Sequence, residues 1–221
     1  MYVYNPNLVK LSIGKDKEKI VLDIFDQIGL ANCFITGSFL YKDDYQDIDV
    51  FVITRSKKKI KIDIPKVKIT VIDFNDLHSL FFHSISKCCI SKNVLPNQCL
   101  KVTLSDFWGV INEAIPTLIN QKDKFHKSVR FLILYTYYFL EGRVLGSFEL
   151  SCKINGFKDY KEILNFVEEN VPVVVNKKIK KSYLKRFFYT QAGFYKDMKS
   201  YSSQRFLYNL THLITRGGIS G

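Results

Sequence analysis

Apolar residues in the first ninety positions change their spacing several times, and each spacing predicts one element. Between Lys15 and Leu30 they recur every three or four residues, which is typical of a helix that buries one face. Gly29 is expected to end that helix, because glycine readily adopts the backbone conformation of a helix C-terminus. The short apolar run Asn32–Thr36 and the alternating segment Asp47–Thr54 then predict two strands.

Two further alternating segments follow. Isoleucines at every second position predict a half-buried strand over Ile60–Ile64, and the same alternation predicts another over Val67–Val71. We expect a helix from Asn75 or Asp76 to about Lys87, because both residue types favour helix N-caps. The first part of the chain is therefore predicted to mix helices and strands.

The remainder of the chain has helical spacing and few strand signals. The segment 91–98 is interpreted as a linker, and Pro172 is expected to separate two helices. We predict helices over the ranges 104–119, 124–141 and 160–169, and two further helices over 179–215. The fold class is therefore α+β: a small mixed or antiparallel sheet flanked by helices (residues 1–95), followed by an all-helical, basic C-terminal domain (residues 96–221).

Charge is spread unevenly along the 221 residues, whose formal net charge is +12. The segment 176–221 contains ten basic residues and a single acid, Asp197. A cluster of this kind attracts polyanions through phosphate contacts, and it is equally typical of a solvated basic face. In the segment 177–189 lysines and aromatic residues interleave, which suits either nucleic-acid binding or an amphipathic helix.

The five cysteines show no CxxC pair and no ligand-like spacing with histidine. We interpret them as reduced thiols, which is the usual state in the cytoplasm. The longest apolar run, Phe131–Leu140, is too short to cross a bilayer, and the N-terminus lacks a signal-peptide pattern. The expectation is a cytoplasmic protein without a membrane partner.

One motif indicates chemistry. The predicted strand Asn32–Thr36 ends in Gly37-Ser38, and after eight residues the next strand opens with Asp47-Ile48-Asp49. Strand side chains alternate, so the two carboxylates project together. A like-charge pair of this kind favours a cation between its members, and Mg²⁺ prefers carboxylate and phosphate oxygens. The glycine would let the backbone approach a phosphate, and the serine adds a hydroxyl.

Gly37-Ser38 with Asp47 and Asp49, between two short strands after an N-terminal helix, resembles the signature of the DNA-polymerase-β-like nucleotidyltransferase superfamily. The resemblance covers about residues 15–75 by motif and the rest by general layout. It implies transfer of a nucleoside monophosphate from a nucleoside triphosphate to an acceptor, with release of pyrophosphate. By resemblance, Gly37 and Ser38 would hold the triphosphate, and Asp47 and Asp49 would bind Mg²⁺ or Mn²⁺.

The same resemblance implies a third carboxylate on a neighbouring strand, and two residues compete for the role. Asp63 alternates with inward isoleucines, and a hairpin between the predicted strands 47–54 and 60–64 would bring it to the face of Asp47 and Asp49. Asp73 also has apolar neighbours, but it lies at the far end of its strand and could cap the next helix. We prefer Asp63 as the third catalytic and metal-binding residue.

The sequence thus predicts a nucleotidyltransferase whose acceptor is RNA, such as the tRNA 3′ end, or another hydroxyl compound. The alternative is a catalytically inactive module of the same fold that binds nucleic acid or a protein partner. The acceptor, the preferred nucleotide and the oligomeric state are not determined by any motif.

Overall fold

The structure is a computed structural model that describes residues 1–5, 13–55, 60–103, 106–107, 109–111, 113–114, 127–158 and 160–178. The chain divides into two compact units. The first comprises Met1–Val102 and Val144–Ser151, and the second comprises the remainder. No helix among the described residues is long and apolar enough to cross a membrane.

A five-stranded mixed sheet organises the first unit. Its strands are β1 (Tyr2–Tyr4), β2 (Asn32–Thr36), β3 (Ile48–Ile53), β4 (Val67–Ile72) and β5 (Cys89–Ser91). Their spatial order is β1-β5-β2-β3-β4, and all neighbours are antiparallel except β3 and β4, which are parallel. The expectation of an α+β fold with a small mixed sheet is therefore confirmed.

The described helices are α1 (Lys15–Ile28), α2 (Leu80–Ile85), α3 (Lys127–Glu141), α4 (Ser147–Asn155) and α5 (Tyr160–Lys178). A 3-10 turn over Ser38–Leu40 follows β2, and a second one over Asp76–His78 precedes α2. Gly29, with φ of 70°, ends α1 as predicted. The helix α2 is capped by Ser79, whose hydroxyl accepts a hydrogen bond from the Phe82 N–H, and not by Asn75 or Asp76.

The sheet has an apolar core on each face. On one face the inward residues of β2 and β3 pack against α1, with Val21 and Ile24 of that helix completely buried. On the other face the alternate residues pack against α2 and the turn before it. Phe34 and Phe51 stack there at 5.2 Å between ring centroids. Strand alternation therefore assigns every β3 side chain to one of two environments.

The predicted strand over Ile60–Ile64 is wrong. Residues 60–63 form no ladder, and Ile60, Ile62 and Ile64 pack instead against the core on the α1 face. The segment belongs to the crossover that takes the chain from the end of β3 back to the start of β4. A parallel pair requires such a crossover, so the predicted hairpin does not form.

One other expectation needs revision, and three elements were not predicted. The helix α5 continues through Pro172 to Lys178, so the proline does not separate two helices. The helix α4, which lies beyond the glycines at 142 and 146, had no clear signal in the spacing of apolar residues. Strands β1 and β5 have three residues each, too few for a period to be recognised.

The described part of the second unit is helical. In it the Tyr137 ring of α3 stacks on Phe166 of α5 at 5.2 Å between centroids. Phe107 packs on Tyr135 and Phe139 of α3, and burial raises the pKa of the Tyr135 phenol to about 12. The two helices predicted over 179–215 lie outside the described residues, so the all-helical C-terminal domain stays a prediction.

Candidate functional site

Gly37 makes a sharp turn at the end of β2. Its φ of 89° and ψ of −168° lie in a region that only glycine adopts without strain. The 3-10 turn that follows is closed by a 3.2 Å hydrogen bond from the Leu40 N–H to the Gly37 carbonyl. Phe39 and Leu40 are fully buried in the core on the α1 face. Ser38, between the glycine and these anchors, stays partly exposed.

The same glycine lies against the first carboxylate of β3. In the antiparallel register of β2 and β3, Thr36 is the partner of Asp49. A Cβ atom placed on Gly37 would lie only 2.7 Å from Asp49 Oδ2. The carboxylate thus occupies the space that any larger residue at position 37 would need. Glycine is required here both for its dihedral angles and for this close approach.

Asp47 and Asp49 lie on one face of the sheet, as the alternation predicts. Ile48 and Val50 are buried in the α1-side core, so the two acids face the α2 side. Both are intermediate in exposure, and the Asp47 side chain is 29% exposed. The structure therefore brings Gly37, Asp47 and Asp49 together at one end of the β2–β3 pair, with Ser38 next in the chain.

Thr36 fixes the strand beneath Asp49 and was not singled out by the sequence. Its buried hydroxyl donates a 2.7 Å hydrogen bond to the carbonyl of Cys88, in the turn between α2 and β5. Threonine in a strand gave no signal, because its hydroxyl partner comes from a segment 52 residues away. The bond ties the end of β2 to the α2 side of the sheet.

Lys68 is a component of the site that the sequence did not suggest. The parallel register pairs Asp49 with Lys68 of β4, and the Lys68 ammonium forms an ion pair with Asp47 Oδ2. The hydrogen bond and charge of Asp47, with a smaller contribution from Asp49, raise the pKa of Lys68. A cation supplied by the chain itself therefore already contacts Asp47, one of the two acids.

Two lysines hold the loop between the glycine and the acids. Lys17, in the first turn of α1 and 9% exposed, donates a 2.6 Å hydrogen bond to the carbonyl of Lys42. Its ammonium also pairs with Asp43 at 3.2 Å. Lys66 lies over the Tyr45 ring, with 4.9 Å from its Nζ to the centroid. The loop is thus attached to α1 at one side and to the start of β4 at the other.

The aromatic residues of this loop are engaged inside the first unit. Tyr41 packs edge-on against Phe148 at 4.8 Å between centroids, and Tyr45 packs against Phe39 at 4.9 Å. Tyr45 also has the Lys17 ammonium 5.7 Å from its centroid. These contacts shape the loop and leave the tyrosines as structural elements of the site.

Asp63 does not join Asp47 and Asp49. Its N–H donates a 2.8 Å hydrogen bond to Gln27 Oε1 on α1, and its isoleucine neighbours pack on the α1 face. The carboxylate pair faces the opposite side of the sheet. The placement expected for the third acid is wrong because it depended on the hairpin that is replaced by the crossover.

Asp73 does not complete the pair either. It follows the C-terminal end of β4, whereas the residue in register with Asp49 is near the start of that strand. Its carboxylate accepts a 2.9 Å hydrogen bond from the Asn75 N–H, within the turn that leads to α2. Asp73 therefore shapes the turn before α2, whereas the cap of α2 itself is Ser79.

The donor set fits one oxygen-liganded cation. Mg²⁺ is often bound by one or two carboxylates together with substrate phosphates, and Asp47 and Asp49 supply two carboxylates on one face. In the described part of the chain, no group of three or more acidic, histidine or cysteine residues could hold a metal ion. Asp47 and Asp49 would therefore supply carboxylate ligands to such a cation, beside those of a phosphate group.

No family model, curated protein or solved structure matches this chain. The basic segment 177–189, which was considered for RNA binding, lies outside the described residues except for Lys177 and Lys178.

Proposed function

We propose that the protein is a metal-dependent nucleotidyltransferase that transfers a nucleoside monophosphate from a nucleoside triphosphate to an acceptor. The observation that carries the proposal is the contact between Gly37 and Asp49 at the end of β2. It joins the turn suited to a triphosphate to the acids suited to a cation, although ten residues separate Ser38 from Asp49 within the motif.

In this proposal each residue has a separate task. Gly37 lets a phosphate approach the backbone, and the partly exposed Ser38 hydroxyl donates a hydrogen bond to that phosphate. Asp47 and Asp49 hold Mg²⁺ or Mn²⁺. When bound, the divalent cation would neutralise phosphate charge and help the acceptor hydroxyl to attack. The buried anchors Phe39 and Leu40, with the Lys17 contacts, keep the turn and the acids in fixed positions.

The acceptor is proposed to be RNA, for which tRNA is the first example to test. The support is the excess of basic residues in the second half of the chain, with 19 basic and ten acidic side chains in residues 101–221. RNA binding that depends on phosphate contacts weakens steeply as salt increases. An affinity that does not change between low and moderate salt would contradict an RNA acceptor.

Transfer from labelled triphosphates tests the enzyme directly. The protein is incubated with Mg²⁺ and each of the four nucleotides, with and without total tRNA, and the label in product is measured. Asp47→Asn and Asp49→Asn keep the side-chain shape, and each is expected to reduce transfer at least about 100-fold, since metal centres contribute several kcal/mol. The matched control is Asp23→Asn, an exposed acid on α1.

Asp63→Asn tests whether Asp63 takes part in the transfer reaction. It should retain transfer, because Asp63 lies on the α1 side of the sheet. Equal activity in the Asp47→Asn, Asp49→Asn and Asp23→Asn proteins would reject the enzyme. A loss confined to Asp63→Asn would instead restore the third-acid hypothesis and contradict the role given to the face of β3.

The second candidate is a catalytically inactive module of the same fold that binds nucleic acid or a protein partner. The observation that favours it is Lys68, which lies in register with Asp49 where an additional acid would strengthen a metal site. This candidate predicts binding of nucleotide or RNA without any transfer. The same assay, combined with a binding measurement, separates the two.

A further inference from the structure

The ammonium of Lys68 contacts the carboxylate of Asp47, which a divalent cation bound at this site would also need. Its Nζ contacts Asp47 Oδ2, and its backbone is the partner of Asp49 in the parallel ladder. The Lys68 side chain is 68% exposed and that of Asp47 is 29% exposed. The lysine therefore contacts Asp47 at the solvent-exposed surface, and it is attached to a strand that cannot move away from β3 without breaking the ladder.

This ion pair is easy to open. Exposed ion pairs contribute little net stability, because water and dissolved ions compete for both partners. A lysine ammonium is carried on a flexible four-carbon stem, so it can leave the carboxylate without a change in the backbone. A divalent cation brings twice the charge to the same oxygens. Competition between the two cations for Asp47 follows from this arrangement.

The released ammonium would remain beside the site. Residue 68 is fixed by its pairing with Asp49, so its side chain keeps to the face of the sheet that carries the acids. Lysine binds phosphate groups well as a mobile point charge. A nucleotide whose phosphates share the cation held by Asp47 and Asp49 would therefore meet this ammonium at close range.

We propose that Lys68 is a built-in counter-ion of the Asp47–Asp49 pair, that a divalent cation displaces it, and that the displaced ammonium then binds a phosphate of the nucleotide. The nucleotide step rests on the proposed function. The displacement step needs only the carboxylate pair as a cation site. In the resting protein Lys68 thus weakens cation binding, and in the nucleotide complex it strengthens nucleotide binding.

Mn²⁺ binding without nucleotide tests the displacement. Free Mn²⁺ is measured by electron paramagnetic resonance during titration of the full chain, in the wild type, Lys68→Gln and Lys61→Gln. The control Lys61 is another exposed lysine, on the crossover, and its removal changes the net charge by the same amount. We expect Lys68→Gln to bind Mn²⁺ about two- to fivefold more tightly, the factor of a surface ion pair, and Lys61→Gln to match the wild type.

For nucleotide binding we expect the opposite effect of the Lys68 substitution, which should weaken the affinity. With saturating Mn²⁺, the affinity for α,β-methylene analogues of the four triphosphates is measured by calorimetry. Lys68→Gln should bind the preferred analogue about two- to fivefold more weakly than the wild type, whereas Lys61→Gln should not differ. Lys68→Arg should keep most of the wild-type affinity, since it retains a cation on the same strand.

Each result has a definite consequence. The counter-ion role of Lys68 is overturned if Lys68→Gln binds Mn²⁺ with the same affinity as the wild type. It is also overturned if none of the three proteins binds Mn²⁺. Tighter Mn²⁺ binding with unchanged nucleotide affinity overturns the phosphate role alone. If Mn²⁺ binds as expected but no analogue binds to any protein, the proposed nucleotidyltransferase fails while the displacement of Lys68 stands.

Discussion

Replacing Gly37 by alanine should damage both the fold and the carboxylate pair, for two separable reasons. The backbone at this residue has φ of 89° and ψ of −168°, where a side chain costs about 1–3 kcal/mol. The new Cβ would also lie 2.7 Å from Asp49 Oδ2, which is closer than side-chain carbon atoms come to oxygen. The Asp49 carboxylate must therefore shift.

Gly29→Ala is the matched control. Gly29 also has a positive φ, of 70°, but a Cβ placed there meets no atom within 4 Å. It shares the backbone cost with Gly37 and lacks the contact with Asp49. A comparison of the two variants thus separates backbone strain from displacement of the carboxylate.

Urea unfolding, followed by labelling of the buried Cys33 thiol on β2, reports on the sheet. Both glycine variants should lower the free energy of unfolding by about 1–3 kcal/mol, which moves the midpoint by roughly 1 M urea. Mn²⁺ binding measured under native conditions should weaken in Gly37→Ala and stay unchanged in Gly29→Ala. Unchanged midpoints in both variants would refute the backbone argument, and equal Mn²⁺ affinities would refute the contact with Asp49.

Three other measurements probe residues outside the candidate site. Lys92→Met should lower the free energy of unfolding by about 1–3 kcal/mol, because the Lys92 ammonium donates hydrogen bonds to the carbonyls of Phe25 and Gly29 at the end of α1. Its control is Lys19→Met, at an exposed lysine of α1, which should have little effect. Burial, with the charges of His78 and Lys87, lowers the pKa of His83, so the unfolded chain binds a proton at this residue more readily than the folded chain. The free energy of unfolding should therefore fall as the pH drops below about 6.5, and His83→Phe should make it depend less on pH. Ellman's reagent should modify the two exposed thiols rapidly. The three buried thiols, whose pKa values are raised by burial, should react only on unfolding. More than two rapidly reacting thiols would contradict the burial of Cys33, Cys88 and Cys89.

The elements predicted best from the sequence are those with a local period. The spacing of apolar residues found α1 because its buried face repeats along one continuous segment, and it found β2, β3 and β4 because each has five or six residues. It missed β1 and β5, whose three residues are too few to define a period. These strands form through pairing with distant segments, which a local pattern does not contain.

The segment Ile60–Ile64 shows what alternation can and cannot establish. Its three isoleucines do face the core, as predicted, and they pack on the α1 side. Alternation records which side chains are buried, but it does not record whether the backbone forms ladder hydrogen bonds with a neighbouring strand. An extended crossover and a half-buried strand therefore have the same pattern, and Asp63 was assigned to the wrong face for this reason.

The direction in which β4 pairs with β3 determines which β4 residue lies beside Asp49. Residues 54–66 form a connection of the length that a parallel crossover needs, a dozen or more residues, whereas a hairpin needs only a few. Parallel pairing brings the start of β4, and with it Lys68, beside Asp49, whereas an antiparallel partner would have presented its far end. Alternation had already placed Val67 and Ile69 inward, which assigns Lys68 to the opposite face. The local motif thus defined Gly37, Asp47 and Asp49, while the lysine beside them was determined by topology. Two carboxylates with their own lysine differ in local charge from the three carboxylates that the family resemblance implied.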